Sequence, residues 1–169
     1  MKSLGRSCTM TGETGFSLIE LLVVVAIMTG LLAASIPSLR SHTESINLIK
    51  ASQSVAGTMK LARQRAVTTL NDVVVIFDTS AGTYYVFEDV DKDGVYDTGE
   101  TRSGTYKIPN RVGIEDVSFT NDKVTFNARG AASETGAVIL LNTRDRAKRI
   151  DLTAATGLVY VSDVYAYGI

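Results

Sequence analysis

Apolar positions crowd the front of the chain, where the run from Phe16 through Ile36 holds a single charge, Glu20, and follows a mostly polar segment, residues 1–15. As a helix this run would extend roughly 31 Å at ~1.5 Å per residue, matching a hydrocarbon core of about 30 Å. A cleaved secretory signal carries small residues after its apolar core, whereas here Gly15 precedes it, so an ordinary export signal is not indicated. Beyond the run, Leu39, Ile46, Ile49, Ala56, Met59, Ala62, Ala66 and Leu70 recur at helical steps with Arg40, Glu44, Lys50, Lys60, Arg63 and Arg65 between them. The pattern predicts one helix from Phe16 to about Thr69, roughly 81 Å long. Pro37 falls inside it and should give a kink or local melting rather than an end, because proline lacks an N–H and crowds the preceding turn.

From Asp72 the period changes to two. Asp72–Asp78, Thr83–Glu88, Val112–Phe119, Lys123–Phe126, Ala137–Leu141, Arg149–Thr153 and Gly157–Ser162 read as short strands, separated by turn signals such as Ser80-Ala81-Gly82, Ala128-Arg129-Gly130 and Thr156-Gly157. The expected fold class is α+β: a long N-terminal helix, membrane-spanning in its first half, packed on a small antiparallel β-sheet or sandwich head. The corresponding segments are a leader (1–15), a transmembrane helix (16–36), an amphipathic half-helix (37–70) and a β-rich head (71–169).

Composition narrows the chemistry. Lys+Arg 17 against Asp+Glu 18 leaves a net charge of -1, so nothing marks the whole molecule as a nucleic-acid binder. The single cysteine, Cys8, and single histidine, His42, exclude a disulfide framework, a Cys/His zinc site and any dyad needing a second such residue; the expectation is no enzyme. Lys2 and Arg6 on one flank of the apolar run balance Arg40 and Lys50 on the other, so charge does not set an orientation. Glu20 is the anomaly, because a carboxylate in an apolar span is costly and needs either the interface or a partner.

The string Gly15-Phe16-Ser17-Leu18-Ile19-Glu20-Leu21-Leu22-Val23-Val24-Val25-Ala26-Ile27 resembles the N-terminal signature of type IV pilin-like proteins, which include pilins and the pseudopilins of type II secretion. The resemblance implies that a prepilin peptidase cuts between Gly15 and Phe16 and methylates the freed Phe16 amine. Glu20 then lies four residues from that amine, within a helical turn, and can pair with a cation in its own chain or a neighbour during assembly. The proline at position 37 is similar to one in that family. Three looser features resemble the GspH/FimT branch: Leu61-Ala62-Arg63-Gln64-Arg65-Ala66-Val67, Phe126-Asn127-Ala128-Arg129-Gly130, and a terminal strand entered through Thr156-Gly157. The long leader and Leu158 after Gly157 depart from the usual pattern.

That resemblance implies a minor pseudopilin, held in the inner membrane with its head in the periplasm. Its partners would be the peptidase, other pilins or pseudopilins, an inner-membrane assembly platform and membrane lipid. The alternative within the family is a FimT-like minor type IV pilin serving pilus biogenesis, adhesion or DNA uptake.

Two further clusters carry candidate chemistry. Asp89, Asp91, Asp93, Val95, Asp97 and Glu100 occupy positions 1, 3, 5, 7, 9 and 12 of an EF-hand-like loop with Gly94 at position 6. Alternate side chains of such a loop converge, so calcium is the candidate cofactor, although the preceding strand pattern makes this a hairpin loop rather than an EF-hand. The plain alternative is an acidic turn kept soluble by its charges. A calcium-dependent ligand-binding head is the corresponding function of another class. Glycosidase chemistry is not indicated, since the acids sit too densely in one loop. Arg144, Arg146, Lys148 and Arg149 form a basic cluster that reads either as a solvated turn or as a phosphate patch for nucleic acid. His42 reads as a stalk residue.

Overall fold

The computed structural model describes residues 16–168, without the side chains of residues 33–42. Two compact units divide between Leu39 and Arg40. Helix α1 (Leu18–Thr69) is followed by β1 (Asp72–Asp78), β2 (Thr83–Asp89), β3 (Tyr106–Lys107), β4 (Val112–Val117), β5 (Lys123–Phe126), β6 (Gly136–Asn142), β7 (Arg146–Thr153), β8 (Leu158–Val161) and β9 (Tyr165–Ala166). The fold class is α+β, as expected.

In the first unit, the Ser17 carbonyl accepts the N–H groups of Glu20 and Leu21 at 3.0 and 3.2 Å and opens α1. Every side chain described from Phe16 to Leu32 is exposed. Helical backbone continues across Pro37, which does not end the helix. Among the described residues no helix is long and apolar enough to cross a membrane.

The second unit joins the rest of α1 to two antiparallel sheets, ordered β3-β2-β1-β5 and β4-β6-β7-β8, with β9 paired to β7. Leu48, Ala51, Val55, Met59, Ala62 and Ala66 form the inward face of α1, spaced at three and four residues. They meet Val73, Val75 and Phe77 of β1 and Val138, Leu140, Ile150 and Leu152 of the second sheet in one core. Alanines at 51, 62 and 66 let the helix backbone lie close to the strands, while each fully buried Leu or Val contributes about 1.5–3 kcal/mol.

Of the stripe expected from sequence, Ala56, Met59, Ala62 and Ala66 are buried, and the ends are corrected. Ile46, Ile49 and Leu70 are exposed, and Leu48, Ala51 and Val55 take the inward positions. The true face starts at Glu44 and advances 44-48-51-55-59-62-66, leaving the two isoleucines at its margins. Strands β1 and β5 match their expected bounds, whereas the two-residue strands β3 and β9 had no counterpart. β7 begins earlier than its pattern suggested, because Arg146 and Ala147 pair with Ala166 and Tyr165.

Candidate functional site

Each candidate group is positioned by different elements. At the front of α1, Phe16 and Glu20 are both exposed, Glu20 within the first turn, where the helix dipole favours a carboxylate. Gly15, the other side of the expected cut, lies outside the described residues, as do Lys2, Arg6 and Cys8.

The acidic loop leaves β2 at Asp89. Its carboxylate is buried and accepts the N–H groups of Lys92 (2.7 Å) and Gly94 (2.9 Å), which folds the loop back over it. Asp93 Oδ1 accepts Val95 N–H at 2.7 Å. One oxygen each of Asp89, Asp91 and Asp93 lies within 4.8 Å of the others. Burial pushes the Asp89 carboxyl above its ordinary value against the pull of the Gly94 and Lys92 N–H bonds, and the Glu100 charge adds to the rise. Glu100 closes the loop onto backbone, accepting Val90 N–H at 2.9 Å and Asp97 N–H at 3.1 Å.

From β5, Lys123 Nζ donates to Gly94 O at 2.9 Å, and Gly94 adopts a positive φ of 74°. The loop's return leg is held to the sheet by Arg102, whose guanidinium stacks on Tyr85 (3.9 Å) and Tyr96 (5.3 Å), with Tyr96 edge-on to Phe87. The structure thus brings the first three candidate ligands together, while Glu100 is occupied with backbone donors. The residues present suit a hard cation, for which oxygen donors are the expected ligands.

The basic cluster is divided. Arg144 Nε meets Glu44 Oε2 at 2.8 Å, Arg149 Nε meets Asp151 Oδ1 at 2.6 Å, and Lys148 Nζ donates to Ser162 O at 2.7 Å. Alternation along β7 puts Lys148 on the side of Ile150 and Leu152, and Arg149 with Asp151 on the other. By the same alternation Arg146 shares the Lys148 face, so the cluster does not present its charges on one side of β7.

Sequence reasoning missed two junctions. Glu44 is buried on α1 and takes a second guanidinium, Arg111 Nη1 at 2.8 Å, so one carboxylate ties the helix to the segment before β4 and the β6–β7 turn. Its spacing from Leu48, Ala51 and Val55 was the available signal. The second junction is Arg63, which donates from Nε to Gly130 O at 2.9 Å. A Cβ on Gly157 would stand 2.2 Å from Gly130 O and 2.9 Å from Arg63 Cδ. Gly130 and Gly157 have φ of 78° and 59°, which glycine tolerates without strain. The three branch-like motifs of the sequence therefore meet at one point.

Residues 51–156 match the family model described as type II transport protein GspH. The chain belongs to that family. The match spans α1 from Ala51 onward, the Arg63–Gly130 contact and strands β1–β7, with Glu44 and Gly157 just outside it. Among solved structures, this GspH-family chain is similar to the minor pseudopilin EpsH from the type 2 secretion system of Vibrio cholerae. The two are 12% identical with a TM-score of 0.53, over 73% of this chain and 99% of that one. It is also similar to the type IV minor pilin FimU of Pseudomonas aeruginosa, at 13% identity and a TM-score of 0.56, over 72% of this chain and 92% of that one. At these identities the likeness is one of fold. No curated protein matches the sequence significantly.

Proposed function

We infer that this chain is a structural minor subunit, a pseudopilin, of a type II secretion pseudopilus. Residues 16–36 hold it in the inner membrane with the head in the periplasm, a prepilin peptidase cuts after Gly15, and the methylated Phe16 becomes the mature N-terminus. The observation that carries the reading is a GspH-family head joined by one helix to an apolar, solvent-facing segment interrupted only by Glu20. In a filament that segment exchanges lipid for the helices of other pilins or pseudopilins on an inner-membrane assembly platform. Glu20 pairs with an N-terminal amine and sets register, so the work is assembly rather than catalysis. Glu20→Ala should abolish most incorporation into the filament while leaving cleavage intact; normal incorporation of that variant contradicts the role.

The likeness to FimU supports the alternative of a FimT-like minor type IV pilin. Deleting the gene and measuring secretion alongside pilus-dependent motility and DNA uptake separates the two, a secretion defect alone favouring the pseudopilus.

A second reading, of another class, rests on the convergence of Asp89, Asp91 and Asp93: the loop takes calcium, with Val95 O, Asp97 and Glu100 as further candidate donors. Calcium should then raise the melting temperature of the head, and Asp93→Ala should abolish the rise. An equal effect of calcium on both proteins removes the site. Nucleic-acid binding is not favoured, because the Arg144 and Arg149 charges already face carboxylates.

A further inference from the structure

We propose that the groove between the last turns of α1 and the free edge of β3 receives an extended, acidic segment of another pilin-like subunit. The groove holds about 450 Å³, with Ala62 and Val86 inside it, Leu61 and Tyr106 on its rim, and Ser103 and Arg65 among its polar groups. Leu61 and Tyr106 are 65% and 41% exposed, a large apolar exposure for residues flanking a cavity.

Charge favours an acidic occupant. Arg65 is the ionised side chain lining the groove; its Nε is held by Glu88, and among the described residues its Nη atoms make no hydrogen bond. Tethered at Nε and 38% exposed, the guanidinium keeps its outer donors for an incoming carboxylate.

Backbone geometry favours an extended occupant. β3 ends its sheet. The Ile108 N–H bonds inward to Gly82 O at 3.0 Å, so by alternation the N–H and C=O of Lys107 face away from β2. A strand laid there pairs with the edge and drops alternate side chains toward Leu61 and Tyr106. Lys107, next to Tyr106 and so on the opposite face of that edge, discourages indiscriminate pairing.

The proposal rests on the assembly reading only for the identity of the partner. The test uses the full chain, isotope-labelled in detergent micelles, titrated with a short capped peptide of valine and threonine that carries one glutamate among the valines of its groove-facing side, and with its lysine counterpart. Saturable amide shifts at Ser103 and Tyr106 are expected with the acidic peptide, with at least tenfold weaker binding of the basic one. Leu61→Glu, a change at an exposed rim position, and Arg65→Gln should each weaken the acidic peptide at least tenfold. Absent or unsaturable shifts, equal binding of both peptides, or unchanged affinity in Leu61→Glu would overturn the proposal, as would self-association through this groove. If the groove ignores the acidic peptide while incorporation still depends on Glu20, this inference falls and the assembly reading stands.

Discussion

The two halves of α1 are built from the same kind of residue and put it to opposite use. From Phe16 to Leu32 the described leucines, valines and isoleucines are all exposed, whereas from Glu44 to Ala66 an inward face recurs every three or four residues and is buried in the head. The second half earns its helicity from tertiary packing against the strands, as helices of ordinary proteins do. In the first half the side chains described from Phe16 to Leu32 are exposed on every face, the pattern of an apolar helix without a single inward stripe. Polar residues sharpen the contrast: Glu20 is exposed on the first half, while Glu44 on the second is buried between two arginines of the same chain.

Substitutions at the head's junctions should act on one half alone. Gly157→Ala has the largest expected effect, about 2–4 kcal/mol of lost head stability, because its Cβ collides with backbone at Gly130 and its φ is positive. Chemical denaturation checks this, and a loss below ~1 kcal/mol would mean the Arg63 junction is loosely packed. Glu44→Ala should cost about 1–2 kcal/mol: the carboxylate is buried, but Arg111 and Arg144 are roughly half exposed and can recover water. Hydrogen exchange should then rise in α1 near Glu44 ahead of the Ala51–Ala66 stretch.

Smaller effects probe the solvent-facing side. Gly57 has open space where a Cβ would go, so Gly57→Ala should stabilise the head by about 0.5–1 kcal/mol in a thermal melt. For the acidic loop, the raised Asp89 carboxyl means a proton competes with a cation. The sign follows: the buried carboxylate penalises the folded state above its raised pKa, and acidification through that value relieves the penalty. Calcium's stabilising effect should therefore shrink as pH falls toward the carboxylate range, and a pH-independent effect would place the ion elsewhere.

Much of the fold was legible because burial imposes a period. β1 and β5 were found at their true ends, β1 because a β-branched apolar run is bounded by Asp72 and Asp78, and β5 because its four residues alternate. β3 and β9 escaped because two residues carry no period and their pairing depends on chain far away in sequence. The helix was found, and its stripe was right at Ala56, Met59, Ala62 and Ala66 but displaced upstream: Ile46 and Ile49 drew it by their size, and Glu44 was set among polar positions although its spacing marks the core. Among site residues, the loop acids were legible in order but not in commitment. Their spacing placed Asp89, Asp91 and Asp93 together, yet only geometry revealed Glu100 serving backbone N–H groups and Lys123 reaching in from β5. The basic cluster was contiguous in sequence and separated in space, because a strand sends neighbours to opposite faces.

The central claim is that the first half of α1 is made for partners outside its own chain, and so must be freed before it can join them. Mass spectrometry of the polypeptide recovered from its native membrane tests it most directly. The mature chain should begin at an N-methylated Phe16; a chain still carrying residues 1–15 would contradict the account.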